Sequence, residues 1–152
     1  MIEHEHARPA SEYLGRGWAF PVRWLPPEQP EGAPPAASPA RRAALAEAEE
    51  DVRQAVLLLL RTSIGERVMR PDFGAGIDRY TFAPRSPATL FRLQDDVRRV
   101  LVRWEPRIMV ERVAATPAED DDGRIDVDIE YRVDPHRRPE NLVFPFYLEN
   151  PR

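Results

Sequence analysis

The chain has 152 residues, 22 basic and 26 acidic side chains and a formal net charge of -4; all of its basic residues are arginine, and it has no cysteine. Without lysine there is no phosphate-loop lysine, no Schiff base and no kinase-type ATP lysine, and without cysteine there is no thiol catalysis, disulfide or thiolate metal site. The net negative charge argues against nucleic acid as a partner.

The length suits one domain with a real core. The longest apolar run, Ala55 to Leu60, has six residues. That is far short of the roughly 20 that span a bilayer, so no direct membrane insertion is expected. Nor does the N-terminus pair a basic region with an apolar run. The expected location is the cytoplasm, within an assembled particle capable of release.

In chain order, residues 1–10 are polar and read as a disordered tail. Residues 11–25 hold Gly15, Gly17, Trp18, Phe20, Pro21 and Trp24, an aromatic segment too short to pack alone, which must dock on something. Trp18, Phe20 and Pro21 are its candidate docking residues. Residues 26–40 are rich in proline and alanine and read as a semi-rigid linker. The globular body is expected over 41–152.

A first helix is expected after Ser38 as cap with Pro39 in its first turn, or nearer the acidic run Glu47 to Asp51. Val52, Val56, Leu59 and Leu60 follow helical spacing, and Leu57 and Leu58 widen the apolar surface, which predicts cover on more than one side. Gly65 fits a left-handed position ending this helix. Arg67 to Arg70 reads as a short strand and Pro71 to Gly76 as a turn. A second helix opens on Ser86 and Pro87 and runs to Trp104 with a seam of Leu90, Leu93, Val97, Val100, Leu101 and Trp104. Its outer face is expected to pair Arg92 with Asp96 and Asp95 with Arg99.

Residues 104–107 read Trp-Glu-Pro-Arg. The proline stops the helix and makes Glu105 extended, so Glu105 and Arg107 project on one side of a rigid corner. Ile108 to Ala115 reads as a strand, and a turn at Asp122-Gly123 joins it to a strictly alternating strand, Arg124 to Val133. The last strand, Asn141 to Glu149, is apolar on both faces, and Pro145 assigns it to an edge or a bulge. Leu142, Phe144 and Phe146 are its candidate partner-binding residues.

Several strings resemble chemical motifs without their context. Asp72-Phe73-Gly74 lacks the lysine and the size of a kinase. With Gly123 at the sixth position of a calcium loop, Ala118 and Ile129 fall where carboxylates are required. Asp126, Asp128 and Glu130 share one strand face, which reads as solvated or arginine-paired. Gly15-Arg16-Gly17 has neither the preceding strand nor the following helix of a phosphate loop. His4, His6 and His136 support neither a metal site nor a relay. No cofactor and no metal are expected. Glu105 is the one candidate for chemistry, since a carboxyl beside an indole is the setting of a glycosidase general acid. Against it stand the missing second carboxylate and Arg107 beside it. The corner reads as an acid, an internal ion pair or a docking plug.

The ordered series Gly15-Arg-Gly-Trp-Ala-Phe-Pro21, Gly65-Glu66-Arg67, Pro71-Asp72-Phe73-Gly74, Phe82 and Trp104-Glu105-Pro106-Arg107 resembles the small baseplate wedge protein of contractile phage tails, a family that includes TssE of type VI secretion and equivalents in phage-tail-like injection particles. The resemblance covers residues 15–24 and about 50–149. It implies an α+β fold, two main helices on a small mixed or antiparallel sheet, similar to the sheath handshake domain. It also implies a non-enzymatic structural role in sheath initiation. The implied partners are other wedge proteins, the sheath protein and hub or inner tube proteins, with multiple copies per baseplate. Trp104, Glu105, Pro106 and Arg107 become expected partner contacts. A lysozyme-like peptidoglycan hydrolase using Glu105 is the alternative. The Pro/Ala-rich stretch 26–40 departs from the family pattern.

Overall fold

The computed structural model describes residues 14–26, 42–133 and 138–148. The elements are strands β1 (Arg16–Trp18), β2 (Trp24–Leu25), β3 (Arg42–Ala43) and β4 (Leu45–Glu47), helix α1 (Ala48–Arg61), a 3-10 turn (Ile77–Tyr80), helix α2 (Pro87–Trp104), and strands β5 (Met109–Pro117), β6 (Arg124–Arg132) and β7 (Glu140–Tyr147). The tail 1–10, Ser38, Pro39, the stretch 26–40 apart from Pro26, and all three histidines lie outside the described residues. The chain forms two compact units, Met1–Gln54 and Ala55–Arg152, and the division falls within α1, not at residue 40.

In the first unit the aromatic segment and the residues that follow the Pro/Ala-rich stretch pair with each other. β1 is antiparallel to β4 and β2 to β3. Between the two ladders the Ala19 N–H donates to the Ala44 carbonyl at 2.9 Å and the Ala44 N–H to that of Arg23 at 2.8 Å. Ala19, Ala44 and Ala46 form a small buried cluster. Because 42–43 and 45–47 are strands, α1 does not extend back through them towards residue 38. α1 begins at Ala48 instead, at the acidic run, where Glu49, Glu50 and Asp51 face the positive end of the helix dipole.

In α1 the predicted stripe Val52, Val56, Leu59 and Leu60 is buried, but Leu58 is exposed, so cover on a second side is incomplete. The helix ends at Arg61, with the Thr62 hydroxyl donating to the Leu58 carbonyl at 2.6 Å. Gly65 does adopt a positive φ of 89°, but it lies beyond the position that would cap a helix ending at Arg61; there its N–H donates to the Pro71 carbonyl at 2.8 Å and closes a loop. That closure keeps Arg67 to Arg70 in turns instead of the expected strand, since the chain must double back within a few residues.

The second unit is an α+β arrangement. α2 starts as predicted: the Ser86 hydroxyl accepts from the Thr89 N–H at 3.2 Å and Pro87 occupies the first turn. Leu93, Val97 and Leu101 are fully buried, and the helix packs against β5. Strands β5-β6-β7 form an antiparallel sheet with β6 in the centre. Ile125, Val127, Ile129 and Tyr131 of β6 face the core and Leu142, Phe144 and Phe146 of β7 join them. The last strand therefore alternates and is not apolar throughout on equal terms; its outward residues include Val143, Pro145 and Tyr147.

Asp96 holds the 3-10 turn to α2. It accepts from the Tyr80 hydroxyl and pairs with Arg79, while Arg99 reaches its other oxygen at 3.1 Å. The predicted Asp95–Arg99 pair forms, but Asp96 takes these tertiary partners instead of Arg92. Burial and the Asp96 hydrogen bond push the Tyr80 phenol above its ordinary value of 10.0. Protonated Tyr80 thus contributes stability that is complete below about pH 10 and is lost as pH rises through the raised value. Tyr80→Phe should lower the unfolding free energy by about 1.5–3 kcal/mol near neutrality. In urea titrations from pH 7 upwards, the difference between wild type and variant should shrink above about pH 10.

Candidate functional site

The Trp104–Arg107 corner is built by the end of α2. Glu105 caps the helix, its N–H donating to the Leu101 carbonyl at 2.9 Å, and Pro106 prevents a further turn. The predicted same-side placement of Glu105 and Arg107 is realised as a two-pronged ion pair, Arg107 Nε to Glu105 Oε1 at 2.6 Å and Nη2 to Oε2 at 2.7 Å. Glu105 is only 5% exposed. Of the three forms expected for this corner, the internal ion pair describes Glu105. Pro106 is exposed, and Arg107 and Trp104 are half-buried.

Around Trp104 lies a group that sequence reading did not assemble. Phe73 meets the indole edge-on, with centroids 5.3 Å apart at 64°. The guanidiniums of Arg103 and Arg70 lie 4.9 and 5.9 Å from the Trp104 ring, and that of Arg67 lies 3.8 Å from Phe73. Arg103 also pairs with Asp72 at 2.6 Å. The expected turn Pro71 to Gly76, which contains the Asp72-Phe73-Gly74 string, is what carries Asp72 and Phe73 to this place. Gly74, at φ 118°, permits the return, because a Cβ there would sit 2.4 Å from the Thr62 carbonyl oxygen.

The other predicted site residues separate into two classes. Trp18 and Phe20 stand out from the ribbon at 67% and 66% exposure, with Pro21 and Trp24 also exposed. Leu142, Phe144 and Phe146 instead turn inward, and are corrected from partner contacts to core: strand alternation puts them on the face that packs with β6's buried residues. Phe144 and Phe146 help line a shallow groove of about 200 Å³ with Leu60, Ile77 and Asp78. Among the described residues no group of three or more His, Asp or Glu is placed to hold a metal ion, and no helix is long and apolar enough to cross a membrane.

The two outer edges of the sheet differ. The Leu148 N–H donates to the Gly123 carbonyl at 2.6 Å, which fixes the alternation along β7. Residues 142, 144 and 146 exchange bonds with β6, and the backbone groups of 141, 143, 145 and 147 point away from it. At the opposite edge, Gln94 of α2 reaches the Ala115 carbonyl at 3.5 Å, and Arg98 those of Glu111 and Val110 at 3.3 and 3.4 Å. Side chains of α2 thus reach three carbonyls of β5, while among the described residues no strand lies beyond β7.

Removing Arg107 leaves a buried carboxylate without its guanidinium partner. Arg107→Ala should therefore destabilise the fold by about 3 kcal/mol, the lower end of the range for breaking a buried pair because Arg107 itself is partly exposed. Thermal and urea unfolding of the purified variant check this, and an unchanged midpoint would contradict the structural role of the pair.

Three comparisons place these features among known proteins. The family model for the baseplate wedge protein gp25 matches residues 46–137. Baseplate protein W of Escherichia phage P2 is 30% identical over 96 residues, 63% of this chain and 82% of that protein. A crystal structure of a candidate tail lysozyme from Geobacter sulfurreducens shares 45% identity at a TM-score of 0.64, over 70% of this chain and 96% of that one. In the cryo-EM structure of the anti-feeding prophage baseplate, one chain shares 25% identity at a TM-score of 0.67, covering 82% of this chain and 89% of that one.

Proposed function

The chain belongs to the baseplate wedge protein gp25 family, and from that membership we propose that it is a structural part of the baseplate of a contractile injection machine, joining wedge subunits and starting the sheath. The observation that carries the second half of this reading is the outer edge of β7, beyond which no strand lies among the described residues. A sheet edge with unpaired N–H and C=O groups is a template for another chain, and proteins that keep one generally pair it or cover it. An extended arm of the sheath protein adds here as a further strand, with Val143 and Tyr147 contributing side-chain contacts on the outer face. Similarity of the domain to the sheath handshake domain belongs to this proposal. So do several copies per baseplate, a reading supported by the 6-fold symmetrised baseplate of the anti-feeding prophage relative. The other wedge proteins, and the hub or inner tube, are the remaining proposed partners. The exposed Trp18, Phe20 and Pro21, and the rim of the Trp104–Arg107 corner, are the proposed contacts with them, inside a particle assembled in the cytoplasm.

Peptidoglycan hydrolysis is the alternative named by the Geobacter relative. Glu105 is buried, and both of its carboxylate oxygens are engaged by Arg107, which leaves no approach for a sugar ring and no free acid to meet it. The proposed role is therefore non-catalytic. Purified protein should release no soluble fragments from peptidoglycan; release that disappears in Glu105→Gln would establish the hydrolase instead.

For the edge, Val143→Pro is the discriminating change. It removes an outward-facing N–H without touching the bonds between β7 and β6, so the fold should survive while strand addition is blocked. Baseplates carrying Val143→Pro should form and grow no sheath, whereas Val143→Ala baseplates should grow sheaths of normal length. Full sheaths on the proline variant, seen by electron microscopy, would refute the template.

A further inference from the structure

Between α1 and the 3-10 turn, the loop carries the two most exposed large apolar side chains among the described residues, Val68 at 93% and Met69 at 90%. Its backbone is nevertheless tightly tied. The Ser63 N–H donates to Glu66 Oε2 at 2.8 Å, the Gly65 N–H to the Pro71 carbonyl at 2.8 Å, and the Phe73 N–H to the Arg70 carbonyl at 3.0 Å. A loop so held loses little conformational freedom when something docks on it. Met adapts its shape to an uneven pocket, which suits it to such a contact.

The charges around the pair are arranged as well. Arg67 and Arg70 flank Val68-Met69, and their guanidiniums are held by rings, at 3.8 Å from Phe73 and 5.9 Å from Trp104. Neither has a carboxylate partner among the described residues. The acidic neighbours are engaged elsewhere: Asp72 by Arg103 at 2.6 Å, and Glu66 by the Ser63 N–H. Two positioned, unneutralised guanidiniums thus bracket two solvated apolar side chains, on a molecule whose net charge is -4. Planar guanidinium forks held in place favour two-pronged pairing with carboxylates.

We propose that Arg67-Val68-Met69-Arg70 is a docking knob for a protein surface in which an apolar pocket is rimmed by carboxylates, supplied by another subunit of the baseplate. This rests on the baseplate reading above and names a contact for it. Two cations are too few for the clusters of basic residues that hold proteins to anionic membranes or to the phosphates of a duplex. Two apolar side chains between the cations fit a protein pocket.

The test uses the full-length chain co-expressed with the other wedge proteins of its own particle, followed by binding measurements between the purified subunits at several salt concentrations. Val68→Ser/Met69→Ser should weaken binding to one wedge subunit by about 100-fold, the loss expected when two central apolar anchors are removed. Its melting temperature should not move, because both side chains are solvated. Arg67→Glu/Arg70→Glu should also weaken binding and reverse its salt dependence, because salt then screens repulsion, and exchanging carboxylates of that subunit for arginine should restore binding. Wild-type affinity in the serine double variant would overturn the proposal. So would tighter, arginine-dependent binding to a DNA duplex or to phosphatidylserine vesicles, or self-association of the chain that the double variant loses. If the variants enter baseplates like the wild type, this contact fails while the baseplate role stands; if the wild type itself enters none, the role fails and the contact with it.

Discussion

The Glu105–Arg107 ion pair determines how the second unit is put together. It joins residues two apart on either side of a proline, at the place where α2 must turn into β5. Burying a carboxylate costs several kcal/mol unless its partner is well placed. Proline and the short loop place it at little entropic expense. With that angle set, α2 runs back along β5, and Gln94 and Arg98 come within reach of the β5 carbonyls. Three carbonyls on one side of a three-stranded sheet are thereby met from within. The difference between this edge and that of β7, beyond which no strand lies among the described residues, begins at a corner on the other side of the sheet.

Local chemistry made much of this readable in the amino-acid order. Ser86-Pro87 and Trp104-Glu105-Pro106 bound α2 to the residue, because a cap and a proline act on their own turn without help from the rest of the chain. Strict alternation from Arg124 onwards gave β6, and the turn at Asp122-Gly123 gave its pairing with β5. What was left open or failed was decided at a distance. Of the two starts expected for α1, the one at the acidic run holds because residues 42–47 pair with 16–25, across a stretch of proline and alanine that carries no periodicity of its own. Asp96 left its helical neighbour Arg92 because Arg79 and Tyr80 arrive from another segment.

The candidate sites follow the same division. Glu105 and Arg107 could be paired from their spacing, since a chain of two residues across a proline has few other options. Leu142, Phe144 and Phe146 were misassigned because a strand with valine, proline and tyrosine on its outer face has only Asn141, at its start, to mark which side is water. Only burial against β6 distinguishes the faces. The group of Arg67, Arg70, Phe73, Arg103 and Trp104 was invisible for a different reason: its members come from two separate segments, and arginine over a ring leaves no periodic signature.

Pro145 gives the free edge a sense of position. Strands that add to a uniform edge can slip by two residues and lose nothing, because the same side chains stay on the same faces and every bond is replaced by an identical one. On β7 the donors at 141, 143 and 147 are interrupted by a residue that has none, opposite Asp126. Each slipped alignment then leaves a different carbonyl of the incoming strand unmet. Alignments that would otherwise be equal in energy become unequal, and the edge works like a ruler with one graduation missing. In the proposed strand addition, a surface made of backbone, which reads no sequence, would acquire through one proline the means to distinguish a correctly seated strand from one shifted along it.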